Sequence, residues 1–192
     1  MKYEAVVIGV SAGGMKAMKL ICSLLPKTFV MPVIMISHIG ARSDNEWIGL
    51  LNRKSNLIMK EADEKEMIEP GKIYFPTPNY HLVIEKDKSF SLTIDEKVNY
   101  ARPSIDVLFE SAADAYQEKL IGIVLTGSNS DGTLGLKRIK DLGGLTIVQD
   151  PQEAEYRSMP ESALSVKPEH VLPLKKIIEL LININSQNTE RP

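Results

Sequence analysis

One cysteine, Cys22, stands in a chain of 192 residues, so no disulfide can close within it. Cys22 falls inside an apolar helical pattern and reads as buried packing, not as a nucleophile. With one cysteine and three histidines, zinc-ligand spacing is absent, and neither a metal nor a cofactor is expected. Charge of one sign is missing too. Twenty-three basic residues face 25 acidic ones, for a net charge of -2, so the basic face that nucleic acid requires is not there. No apolar run approaches the ~20 residues of a membrane span, and the N-terminus lacks the apolar stretch of a signal peptide. These absences point to a soluble cytoplasmic protein. What is present is ordinary for a globular chain: 43% hydrophobic and 25% charged residues, enough for one domain with a sizeable core over residues 1–192.

The patterning alternates strands with helices. Lys2 to Gly9 is a continuous apolar run of the kind buried on both faces of a parallel sheet. Met15 to Leu25 has helical spacing and stops at Pro26. Val30 to Ser37 is a second buried strand, and Leu57 to Met59 a short third one. Between them, Ser43 and Glu46 have the spacing of a capping box for a helix carrying Trp47, Leu50 and Leu51. Lys72 to Phe75, His81 to Glu85 and Phe90 to Ile94 are short strands, and the Lys86-Asp87-Lys88-Ser89 loop makes the last two a hairpin. Ser104 caps a helix to about Tyr116; Lys119 to Thr126 is a strand. Gly132 to Leu142 is a helix closed by Gly143-Gly144, and Leu145 to Gln149 a strand. A last helix starts near Pro173, and residues 185–192 are expected to be a flexible tail. The fold class is α/β: a doubly wound, mostly parallel sheet with an antiparallel hairpin at one edge.

Such sheets bind ligands beyond the carboxyl ends of their strands. Ser11 follows the first strand, His38 the second, Asp131 the strand ending at Thr126, and Asp150 the strand ending at Gln149. Serine, histidine and aspartate at one sheet edge are the inventory for nucleophilic acyl transfer. Gly9-Val10-Ser11-Ala12-Gly13 also fits the G-x-S-x-G turn that exposes a serine hydroxyl. Plainer roles exist for each. Ser11 could cap the following helix, Asp131 could cap the helix after Gly132, and His38 could be structural; His81 and His170 read as structural or solvent-facing. Nucleotide binding fits poorly. Ser11 replaces the second glycine of a dinucleotide fingerprint, Ser37-His38 stand where its acid belongs, and Lys16 is followed by Ala17 rather than by Ser or Thr.

At these residues the chain resembles the catalytic domain of the chemotaxis protein-glutamate methylesterase family. The resemblance is carried by "VVIGVSAGG", "ISHIG", "ARPSIDVLFESAA", "GIVLTGSNSDGTLGLKRIKDLGGLTIVQD" and "SMPESAL", in order from residue 6 to about 164. It implies a serine esterase that hydrolyses glutamate γ-methyl esters on the cytoplasmic helices of chemoreceptors, releases methanol, and in many members also deamidates receptor glutamines. The family's triad falls on Ser11, His38 and Asp131. Ala12 stands where members usually have threonine, and Ser128-Asn129-Ser130 differs from their Met-Gly-Asn loop, so the substrate-facing surface differs while the chemistry is kept. Another ester or amide substrate, or a non-catalytic partner-binding module, are the competing readings. The chain begins at the first catalytic strand, without the receiver domain of well-studied members, so the expectation is constitutive action or control by a separate regulatory protein.

In the expected mechanism Ser11 Oγ attacks the ester carbonyl, neutral His38 takes its proton and returns it to methanol, and Asp131 holds the His38 tautomer. The backbone N–H of Ala12 and one near Ser128 supply the oxyanion donors, with Gly13 and Gly14 leaving room for a close approach. Asp150 is the second choice for the acid.

Overall fold

The computed structural model describes residues 2–37 and 46–189. The expected parallel sheet is present, with one short edge strand, β9, that the sequence pattern did not show. Seven strands, β1 (Ala5–Val10), β2 (Val33–Ser37), β3 (Ile58–Glu61), β4 (Lys72–Phe75), β7 (Leu120–Val124), β8 (Leu145–Gln149) and β9 (His170–Leu172), pair in the order β3-β4-β2-β1-β7-β8-β9. Every pairing between them is parallel. β5 (His81–Ile84) and β6 (Phe90–Thr93) form the expected hairpin, but as a separate two-stranded sheet and not as the edge of the large one. Leu82, Ile84 and Phe90 explain its place: they are buried in the core beside α3 (Ile105–Tyr116), and the Ile84 N–H donates to Ser111 Oγ of that helix at 3.1 Å. β4 belongs to the parallel sheet, where Ile73, Tyr74 and Phe75 are buried on both faces.

β1 shows how the layers arise. Val6, Ile8 and Val10 face a core closed by α1 (Gly14–Leu24), α2 (Glu46–Asn52) and α6 (Leu174–Thr189). Ala5 and Val7 face the opposite core, closed by α3, α4 (Thr133–Asp141), α5 (Ser158–Ala163) and the hairpin. Gly9 is on that second face because α3 comes too near for a side chain: a Cβ there would stand 2.4 Å from Ile105 Cγ2. α3 and α4 cross closely for the same reason, since a Cβ on Gly135 would meet Phe109 Cβ at 2.3 Å. These two approaches put the start of α3 against the end of β1 and the start of α4.

The expected tail is helical through Thr189, and the physical reason lies in two asparagines. Asn185 Oδ1 accepts from the Val30 N–H at 2.8 Å and its amide donates to the Thr28 carbonyl at 2.9 Å. Asn188 accepts from the Lys2 N–H at 2.9 Å and donates to the Tyr3 carbonyl at 2.8 Å. Both are buried, and they serve backbone groups at the start of β1 and before β2 that nothing in the sheet would satisfy. The Ser43 cap expected for α2 and the side chains of Trp47 and Leu50 lie outside the described residues.

Candidate active site

β1 lies centrally, between β2 and β7, and its carboxyl end carries Ser11. Beyond the strand, the ladder with β7 continues for two more steps: the Leu125 N–H donates to the Gly9 carbonyl and the Ser11 N–H to the Thr126 carbonyl, each at 2.9 Å. Ser11 is therefore held by the sheet itself. It does not cap α1; the cap position is Gly13, at φ 74 and with no side-chain cap bond. Ser11 lines a cleft of about 280 Å³ with Gly13, Gly14, Met15, Lys16, Ser37 and Glu155. The two glycines are required by protein neighbours. A Cβ on Gly13 would stand 2.8 Å from Glu155 Cβ, and one on Gly14 would stand 2.2 Å from Val10 Cγ2. They let the 150–156 segment and the first turn of α1 fold down beside Ser11.

Ser37 pairs with Val10, the residue before Ser11. His38 is the next residue along the chain and lies outside the described residues. Asp131 is reached from the other neighbour, β7, and is completely buried. It does not cap α4, whose cap position is Gly132 at φ 92. Its carboxylate instead faces the start of α3. Oδ1 accepts from the Ser104 hydroxyl at 2.9 Å, the Asp106 N–H at 3.1 Å and Asn99 Nδ2 at 3.1 Å. Oδ2 accepts from the Ile105 N–H at 2.7 Å. A helix N-terminus, with its unpaired N–H groups and positive dipole end, is where a buried carboxylate is best stabilised. Ser104 is the α3 cap the sequence indicated, accepting from the Val107 N–H while donating to Asp131.

Three further residues at this site carried no signal in the chain order. Asp106 is a second buried carboxylate beside the first: Oδ1 accepts from the Gly135 N–H at 2.8 Å, and Oδ2 accepts at 2.9 Å from the same Asn99 amide nitrogen that reaches Asp131. Burial, reinforced by the charge of Asp131, pushes the Asp106 carboxyl up to about 6. Asn99 is the donor that bridges the pair. His81, expected to be structural, fixes the loop above: Nδ1 accepts from the Ser104 N–H at 3.2 Å, so Nε2 carries the proton and donates to the Glu96 carbonyl at 3.0 Å. Only the quoted stretch Arg102-Pro103-Ser104-Ile105-Asp106 held any of this, and its meaning lies in contacts across more than twenty residues.

The remaining candidates sort simply. Ala12 offers its carbonyl to Thr126 Oγ1 at 3.0 Å, which ties the turn after β1 to the turn after β7. Ser128 is exposed in the β7–α4 connection, one residue after Gly127, whose N–H donates to the Tyr156 carbonyl at 3.1 Å. Asp150 follows β8 and shapes a local turn, its Oδ1 accepting from the Gln152 N–H at 2.9 Å. The acid embedded in a cage of donors is thus Asp131, while Asp150 serves its own loop. Cys22 is buried and its thiol is pushed up to about 12 by burial, as packing and not chemistry requires.

The chain and its fold are also similar to known proteins. A family model described as CheB methylesterase matches residues 6–181. The chain belongs to the CheB methylesterase family. A Leptospira interrogans protein named putative protein-glutamate methylesterase/protein-glutamine glutaminase is 55% identical over the full length of both chains. A Carboxydothermus hydrogenoformans protein-glutamate methylesterase/protein-glutamine glutaminase is 38% identical over 92% of this chain and 54% of its own length. This chain thus spans about half of such longer CheB relatives. The crystal structure of the Thermotoga maritima CheB methylesterase catalytic domain superposes with a TM-score of 0.90 at 33% identity, covering 96% of this chain and 100% of that one.

Proposed function

We propose that this protein is a serine esterase that hydrolyses glutamate γ-methyl esters on the cytoplasmic helices of chemoreceptors, releasing methanol, and that it also deamidates receptor glutamines. The observation that supports this most is the placement of Ser11 and Asp131 at the carboxyl ends of neighbouring parallel strands, with the Ser11 backbone bonded to the strand that leads to Asp131. Ser11 Oγ is the nucleophile; His38, which the chain places next to Ser37 at the other neighbouring strand, is the base that takes its proton and returns it to methanol. Asp131, held by four donors, orients the imidazole and stabilises its charged form. As Ser11 Oγ bonds to the carbonyl carbon and the C=O π bond opens, the carbonyl oxygen takes up negative charge near the start of α1, where the Ala12 N–H and an N–H near Ser128 are the donors; the tetrahedral intermediate then collapses with loss of methanol. Water then cleaves the glutamyl-serine ester to leave glutamate and free Ser11.

The partner is the methylated cytoplasmic domain of a chemoreceptor. The protein works in the cytoplasm and reaches the membrane only through that receptor. The test is methanol release from a methyl-esterified chemoreceptor cytoplasmic fragment. Release by the wild type that Ser11→Ala abolishes supports the assignment; release by Ser11→Ala within about tenfold of wild type removes Ser11 as the nucleophile.

A further inference from the structure

The loop from Ile94 to Ala101 is tied down from beneath. The Arg102 guanidinium donates to the Ile94 and Asp95 carbonyls at 2.7 and 3.0 Å, His81 holds the Glu96 carbonyl, and Val98 and Ala101 exchange backbone bonds at 3.2 and 2.9 Å. That exchange closes a two-residue turn on Asn99 and Tyr100, with φ 50 and 62. Positive φ at both central positions is the type I′ pattern, in which the second position strongly favours glycine. A tyrosine is there instead, in a conformation that costs a side-chain-bearing residue free energy. Its ring packs on nothing among the described residues: Tyr100 is 99% exposed. Ile94, at 71%, and Val98, at 36%, add further exposed apolar surface to the same loop. The other half of the turn is Asn99, whose amide holds Asp131 and Asp106.

We propose that this turn is a docking element for the protein substrate, with Tyr100 as the contact that engages the segment carrying the esterified glutamate; this rests on the function proposed above. A strained backbone that displays an unsupported aromatic ring is explained when the ring is used by a partner, and tyrosine is among the residues that anchor protein interfaces. Asn99, the neighbour of Tyr100 in the turn, fastens the display to the candidate catalytic acid, which ties the contact to the proposed site rather than to a remote surface.

Steady-state methanol release from a methyl-esterified receptor fragment tests this with Tyr100→Gly and Tyr100→Phe. Glycine keeps the turn, relieves its strain and removes the ring, so the melting temperature stays level or rises. KM should rise about tenfold with kcat within about twofold, and phenylalanine should restore most of the loss. Methanol release with an unchanged KM in Tyr100→Gly overturns the docking role alone and leaves the esterase standing; so does a change in oligomeric state in Tyr100→Gly without a change in KM. No methanol from the wild type overturns the esterase reading, and the docking role with it.

Discussion

Asp131→Asn is the substitution in which structural and chemical consequences are hardest to separate, and the geometry allows them to be worked out. An amide has one oxygen and one NH2 group where the carboxylate has two acceptors. The Oδ1 position faces three donors and the Oδ2 position faces the Ile105 N–H, so the amide oxygen will take the first and its NH2 will point at the second. One charge-assisted bond becomes a buried donor-to-donor contact, and three others lose the charge that strengthened them. A lost bond to a charged group costs about 1.5–3 kcal/mol, and relief of the repulsion with Asp106 returns part of the total. A net loss of about 3 kcal/mol follows, or about 6–12 °C in melting temperature for a chain of this size. Calorimetry at neutral pH reads it directly. Turnover should fall by up to about 10⁴, the scale for a triad aspartate replaced by asparagine, and must be measured well below the variant's own melting point. A melting temperature within about 2 °C of wild type would refute the cage as drawn from the Asp131 contacts.

Two further outcomes are expected. Asp106 retains its proton to about pH 6 when folded, but only to ~3.9 in an unfolded chain, so the folded protein binds the extra proton between these values. Its contribution is therefore greatest at the acid end and is lost as pH rises through 6. Urea midpoints at pH 4.5 and 7 should show wild type losing stability relative to Asp106→Asn, whereas a difference independent of pH would contradict the shared buried pair. Asn188→Ala should lower stability by about 2–3 kcal/mol, because it strands the buried Tyr3 carbonyl and the Lys2 N–H; a loss under about 0.5 kcal/mol in a denaturant titration would return the end of α6 to a dispensable tail.

The parts of the fold legible in the sequence are those written in local patterns. Ser104 to Tyr116 was readable as a capped helix because the cap and the apolar face are both local, and Leu145 to Gln149 because a run buried on both faces has no polar alternation. β9 is only three residues long, with Val171 exposed, so periodicity had nothing to register. The end of α6 misled for an opposite reason: Asn185 and Asn188 look like solvated polar residues, and their partners stand more than 150 residues away. At the candidate site, the strand-end rule expected Ser11 and Asp131 beyond the carboxyl ends of two strands, and they follow the neighbouring strands β1 and β7. It could not locate Asn99 or Asp106, which meet Asp131 only through the close crossing of α3 on β1 and α4 that Gly9 and Gly135 permit. His38 was chosen on the same rule and lies outside the described residues.

The central claim is that Ser11 is a nucleophile activated from the neighbouring strand ends. Labelling with a fluorophosphonate, followed by peptide mass spectrometry, tests it most directly. The account predicts a phosphonylated Ser11 in the wild type and labelling slowed by at least a hundredfold in Asp131→Asn held below its melting point. Label on another residue, or Ser11 labelled equally fast in both proteins, would contradict it.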